Sequence, residues 1–120
     1  MAKYNILQEK SFAFAVRIVK LYKHLQNEKK EFVLSKQVLR SGTSIGANVE
    51  ESIGGQSDKD FLSKLSISYK EARETIYWIK LLFATDYITE EQKISIINDA
   101  DELCKILAKI ILTLKQKSNL

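Results

Sequence analysis

The sequence predicts an all-α protein, an antiparallel up-down four-helix bundle, and three observations carry the prediction. The 120 residues include no proline and only four glycines, too few turn formers for the many connections of a β-sandwich or barrel. Apolar residues make up 45% and charged residues 28%, the balance of a chain that can build a core. Apolar positions recur in steps of three and four, the period of helices packed on one another. At this length residues 1–120 read as a single domain.

The first helix is expected over about residues 5–27. At 100° per residue Leu7, Phe14, Ile18, Leu21 and Leu25 share one face. A second apolar row, Phe12, Val16 and Val19, points more than about 90° away from it. A helix of a lone bundle needs one apolar stripe. Two stripes predict burial on both sides, the second against another subunit.

The second helix is expected over about 35–53, ended by Gly54-Gly55. Val38, Ile45, Val49 and Ile53 form its apolar row. Gly42 and Gly46 lie inside it, each costing about 1 kcal/mol relative to alanine. Their spacing puts both on one face, and close approach by a neighbouring helix would offset that cost.

The third helix, about 58–85, carries the clearest pattern: Leu62, Leu65, Tyr69, Ala72, Ile76, Ile79 and Phe83. Ser57 can cap its start, with Asp60 three positions on. The fourth, about 89–116, opens on Thr89-Glu90-Glu91-Gln92, a capping box with acids in the first turn. Its seam is Ile97, Ala100, Cys104, Leu107, Ile111 and Leu114, widened on one side by Ile96, Leu103 and Ile110. The expected core includes Leu65, Ala72, Ile76, Ile79, Ile97, Cys104, Leu107 and Ile111.

The net charge of +4 is concentrated: residues 1–27 carry five Lys or Arg against Glu9 alone. Lys10, Arg17 and Lys20 share one side of the first helix and are the candidate nucleic-acid-binding residues. A solvated basic face is the other reading. Lys105, Lys109, Lys115 and Lys117 make the end of the chain basic as well.

Arg40, Ser44, Asn48 and Glu51 recur at four, four and three, with Ser41 beside them. They form a polar ridge along the second helix. It is read as a structural hydrogen-bond network, with Glu71 and Glu74 as partners for Arg40, as a ligand-facing site, or as plain surface. His24 continues the basic row and reads as a surface residue. Cys104, on the core seam, reads as an inert buried thiol. Gly54-Gly55-Gln56-Ser57 precedes a helix start but lacks the lysine of a phosphate-binding loop. Trp78, Tyr77 and Tyr69 read as core or interface material, with a stacking platform as the alternative.

One cysteine excludes an intramolecular disulfide and a Cys-pair metal site and fits a cytoplasmic location. No apolar run approaches the roughly 20 residues of a membrane span, and no targeting segment is seen. No catalytic, cofactor-binding or metal-ligating residue is expected.

The run from Leu39 to Glu51, followed by Gly54-Gly55 and then Asp60-Phe61-Leu62-Ser63-Lys64-Leu65, resembles the bacterial four-helix-bundle family. This is also called the S23 ribosomal protein or 23S rRNA intervening-sequence protein family. Its hallmark, Arg-Ser-x-x-Ser-Ile-x-x-Asn-(Ile/Val)-x-Glu, is matched by Arg40, Ser41, Ser44, Ile45, Asn48, Val49 and Glu51. The resemblance implies a homo-oligomer, a barrel-shaped homopentamer in related structures, with no established catalytic residue. A related branch comprises accessory proteins of diversity-generating retroelements, which bind nucleic acid and a reverse transcriptase. Two functions follow as expectations: a non-enzymatic oligomeric protein binding RNA or DNA through its first helix, or a protein-interaction scaffold without nucleic acid.

Overall fold

The computed structural model describes residues 2–118, with side chains described for residues 4–117. Four helices follow in order, α1 (Ala2–Asn27), α2 (Leu34–Ile53), α3 (Asp58–Ala84) and α4 (Glu90–Ser118). Short links reverse the chain between them, so neighbours run antiparallel. Each helix packs on the next, α4 closes back on α1 along a slighter contact, and the diagonal helices α1 and α3 meet through side chains, the Tyr4 and Phe61 rings lying 5.3 Å apart. The bundle measures 51 × 23 × 21 Å.

Local chemistry sets the ends of the helices. Ser57 Oγ accepts the Asp60 N–H at 3.1 Å and caps α3. Thr89 and Gln92 close a reciprocal box at α4, with bonds of 3.1 and 2.8 Å. α3 ends in a Schellman turn. Asp86 holds the left-handed position at φ 69°, the Tyr87 N–H reaches the Leu82 carbonyl at 2.9 Å, and the Asp86 N–H reaches that of Phe83 at 3.0 Å.

α2 has a cap that its sequence does not advertise. Val33, at the N-cap position, makes no side-chain cap. The buried Glu31 does so from the link. Its Oε1 accepts the N–H groups of Val33 at 3.1 Å and Ser35 at 2.7 Å. Burial pushes the Glu31 carboxyl up, but the N–H groups of Ser35, Leu34 and Val33 and the Ser35 hydroxyl outweigh it and hold it below its ordinary value.

Small residues bring the first three helices close. A Cβ on Gly42 would lie 2.8 Å from both Cγ atoms of Ile18 on α1, and one on Gly46 would lie 3.2 Å from the Ser11 carbonyl oxygen. This is the close approach that the glycine spacing predicts. Between α2 and α3 the buried hydroxyls of Ser41 and Thr75 stand 3.0 Å apart, and Ser68 Oγ donates to the Ile45 carbonyl at 2.8 Å.

The core contains Leu7, Phe14, Ile18, Leu21 and Leu25 of α1, as their shared face predicts. Leu65, Ala72, Ile79, Cys104 and Leu107 are buried too. Ile76, Ile97 and Ile111 are only partly buried. α4 must face α1 as well as α3, so its buried stripe is centred on Ile96, Ala100, Leu103 and Leu107. Ile76 lies in the heptad row Tyr69–Ile76–Phe83 on the α4 side of α3. That seam is less completely filled than strict periodicity implies.

Candidate interaction surface

The basic row of α1 lies against α4. Arg17 Nη1 donates to Asp99 Oδ2 at 2.8 Å and to the Ser95 carbonyl at 3.3 Å, and Nη2 donates to Ser95 Oγ at 2.7 Å. Lys10 Nζ is 3.3 Å from Glu102 Oε2. Two of the three candidate phosphate-binding cations thus have carboxylates of the same chain beside them. Lys20 is exposed one turn beyond Val16, on the outward side of α1. The structure therefore does not bring Lys10, Arg17 and Lys20 together as one free basic face.

The polar ridge of α2 is tied into the bundle. Arg40 spans to α3, with Nη2 2.8 Å from Glu74 Oε2 and Nη1 3.5 Å from Glu71 Oε2. Glu74 also accepts the Trp78 indole N–H at 3.0 Å. Ser44 Oγ donates to the Arg40 carbonyl at 2.6 Å, and Asn48 Nδ2 donates to the Ser44 carbonyl at 2.8 Å. Glu51 pairs with Lys64 at 2.9 Å, and Ser41 is buried against Thr75. Arg40, Ser41 and Glu51 reach α3, whereas Ser44 and Asn48 bond to carbonyls of α2 itself.

Other candidates are quiet. Burial pushes the Cys104 thiol up, Arg73 pulls it down and Asp101 adds to the rise, for a net upward shift that suits an unreactive group. The Gly54–Ser57 turn lines a pocket that also contains Asp58, a poor neighbour for an anion. At that end the Tyr4 hydroxyl donates to the Val49 carbonyl at 2.8 Å and touches the Ser52 hydroxyl. Tyr77 is exposed and meets Trp78 edge-on with ring centroids 5.1 Å apart. Among the described residues no group of His, Cys, Asp and Glu is placed to hold a metal ion, and no helix is long and apolar enough to cross a membrane.

Two outward features remain. On the α1–α2 side Phe12 is 70% exposed and Val16 40% exposed. Phe12 edges a groove of about 210 Å³ floored by Ala15, Gly46 and Ala47. On the far side a wider groove of about 550 Å³ runs between α3 and α4, over Tyr69, Ala108, Ile111 and Leu112. The first follows from the second apolar row of α1. The second was not legible, because Tyr69 and Ile111 sit on seams that periodicity assigns to the core.

The model of the 23S rRNA-intervening sequence protein family matches residues 3–109. A crystal structure from Bacteroides thetaiotaomicron VPI-5482, described as a protein of unknown function from the S23 ribosomal protein family, is 60% identical. It superposes with a TM-score of 0.90 over 91% of this chain and 97% of that one. No curated protein matches the chain. A match over most of the sequence, with the hallmark residues in place on α2, makes this chain a member of the 23S rRNA-intervening sequence protein family.

Proposed function

We propose that this chain is a non-enzymatic cytoplasmic protein that acts as a homo-oligomer, a pentamer in keeping with the resemblance, and presents a binding surface repeated around the assembly. The observation that carries this reading is the exposed apolar row of α1. A phenylalanine 70% exposed beside Val16 is the kind of contiguous apolar surface that marks an interaction site. Light scattering at micromolar concentration tests it. A mass several times 13.8 kDa is expected, and a persistent single-chain mass overturns it.

Nucleic acid is the second reading for what the assembly binds. It rests on the net charge of +4 and on Lys20 and Lys23 at the outward side of α1. The carboxylates beside Lys10 and Arg17 reduce its strength, because those charges are already partly neutralised. Replacing Lys10, Arg17 and Lys20 with Gln is expected to weaken binding to structured RNA or duplex DNA and to flatten its salt dependence. A wild-type protein that binds neither at low salt leaves a protein-interaction scaffold as the function.

A further inference from the structure

The face of α4 opposite its buried stripe is divided into two halves of opposite charge. Ile94 and Leu112 are 49% and 57% exposed there. About five helical turns of 3.6 residues separate them, so they stand on one line along the helix. Within about 60° of that line lie Glu90, Glu91 and Asp101 in the first half and Lys105, Lys109 and Lys115 in the second. Asp101 and Lys105 pair with each other at 3.2 Å in the middle.

Other charges of α4 turn elsewhere. Lys93 lies over the Phe83 ring at 4.3 Å, and Asp99 and Glu102 pair with Arg17 and Lys10 of α1. Lys117 shares the foot of the bundle with Asp58 and Lys59. The flanking helices add exposed Lys80 and Lys20 near the level of the first half, and exposed Lys70 and Arg73 near the level of the second. The first half therefore stays net acidic and the second is strongly basic.

Such a pattern is its own complement when a second α4 is laid on it antiparallel. A two-fold axis between Asp101 and Lys105 sets Ile94 of each copy on Leu112 of the other and brings Glu91 of each to Lys115 of the other. Parallel helices would set acid on acid and lysine on lysine.

We infer that the outward face of α4 is an isologous contact, on which a second copy of this chain lays its own α4 antiparallel. The charges select the occupant, because the acidic half of one copy meets the basic half of the other twice over. The contact closes at two copies by its symmetry. It leaves the Phe12 row of α1 free and is independent of the assembly proposed for that row. Its apolar seam is narrow, so the pairing is sensitive to salt.

The chain carrying Phe12→Glu isolates this contact, since it disrupts the exposed apolar row of α1. Sedimentation at micromolar concentration and low salt is expected to give the mass of two chains. In that background Glu90→Lys with Glu91→Lys is expected to give single chains, as is Lys109→Glu with Lys115→Glu. An equimolar mixture of the two is expected to pair again, because acid then meets base at both ends of the contact. All these positions are exposed, and circular dichroism confirms that each variant is folded. Chains carrying Ile94→Cys and Leu112→Cys, mixed and oxidised, are expected to crosslink to each other and neither to itself. The chain with Phe12→Glu alone, whose Cys104 is buried, is the blank. A single-chain mass for Phe12→Glu alone overturns the inference while leaving the α1 assembly to be judged by the wild-type mass. Charge variants that keep the paired mass, a mixture that stays dissociated, or self-crosslinking at residue 94 overturn it equally.

Discussion

Ile18 fills the space where a side chain on Gly42 would be: a Cβ there would stand 2.8 Å from both of its Cγ atoms. α1 and α2 approach as closely as they do because residue 42 has no side chain.

Gly42→Ala is therefore expected to destabilise the bundle despite the better helix propensity of alanine. Overpacking a filled site costs about 1–3 kcal/mol, against a propensity gain of about 1 kcal/mol. Urea unfolding should give a lower midpoint with an unchanged slope. Gly54→Ala is the control. Gly54 has φ −83° and only the Glu51 carbonyl near its Cβ position, at 3.8 Å, so no loss is expected.

Glu31 makes stability depend on pH in a defined window. Its carboxyl is held below the ordinary value in the folded chain. The stabilisation it gives is present above that ordinary value, about 4.3, and is lost as pH falls through it toward the folded value. Glu31→Gln should cost about 0.5–2 kcal/mol at neutral pH, the usual cost of a lost cap. It should also make the loss of stability below about pH 4.3 shallower than in wild type. Thermal unfolding across that range checks both effects.

Asp86→Gly is expected to stabilise the chain. The residue sits at φ 69° in the turn after α3, where glycine avoids the steric cost of a Cβ, about 1 kcal/mol. A higher melting temperature with an unchanged helical spectrum is the readout.

The polar contacts between α2 and α3 should rank by burial. Ser68→Ala removes a buried bond to the Ile45 carbonyl and should cost about 1 kcal/mol. Arg40→Ala breaks two partly exposed ion pairs and should cost less than about 1 kcal/mol. Leu107→Ala, in the buried core, should cost about 2–5 kcal/mol. A chemical-denaturation series that reversed this order would overturn the ranking.

What the sequence reveals depends on how local the cause is. The caps at Ser57 and Thr89 are written within four residues and were legible. So was the bridge from Arg40 to Glu71 and Glu74, because a short reversal between α2 and α3 fixes which positions meet. Glu31 was hidden: it caps α2 only because Lys30 takes the left-handed conformation at φ 54° and the link folds the carboxylate inward. The cover over Lys10 and Arg17 was hidden too, because Asp99, 82 residues after Arg17, meets it only when α4 turns that edge toward α1. The incomplete burial of Ile76, Ile97 and Ile111 depends on the same rotation.

The square order of the helices also bears on how the chain reaches this state. Every helix pair with closely approaching backbones is joined directly by a link except one, α1 with α4, and that contact is the slightest and carries Lys10–Glu102 and Arg17–Asp99. Loop-closure entropy therefore opposes that contact most. A bundle built mainly from contacts between consecutive helices is expected to fold rapidly, in about microseconds to milliseconds. The joining of α1 to α4 is then a late event, and Asp99→Asn should accelerate unfolding while leaving the refolding rate nearly unchanged.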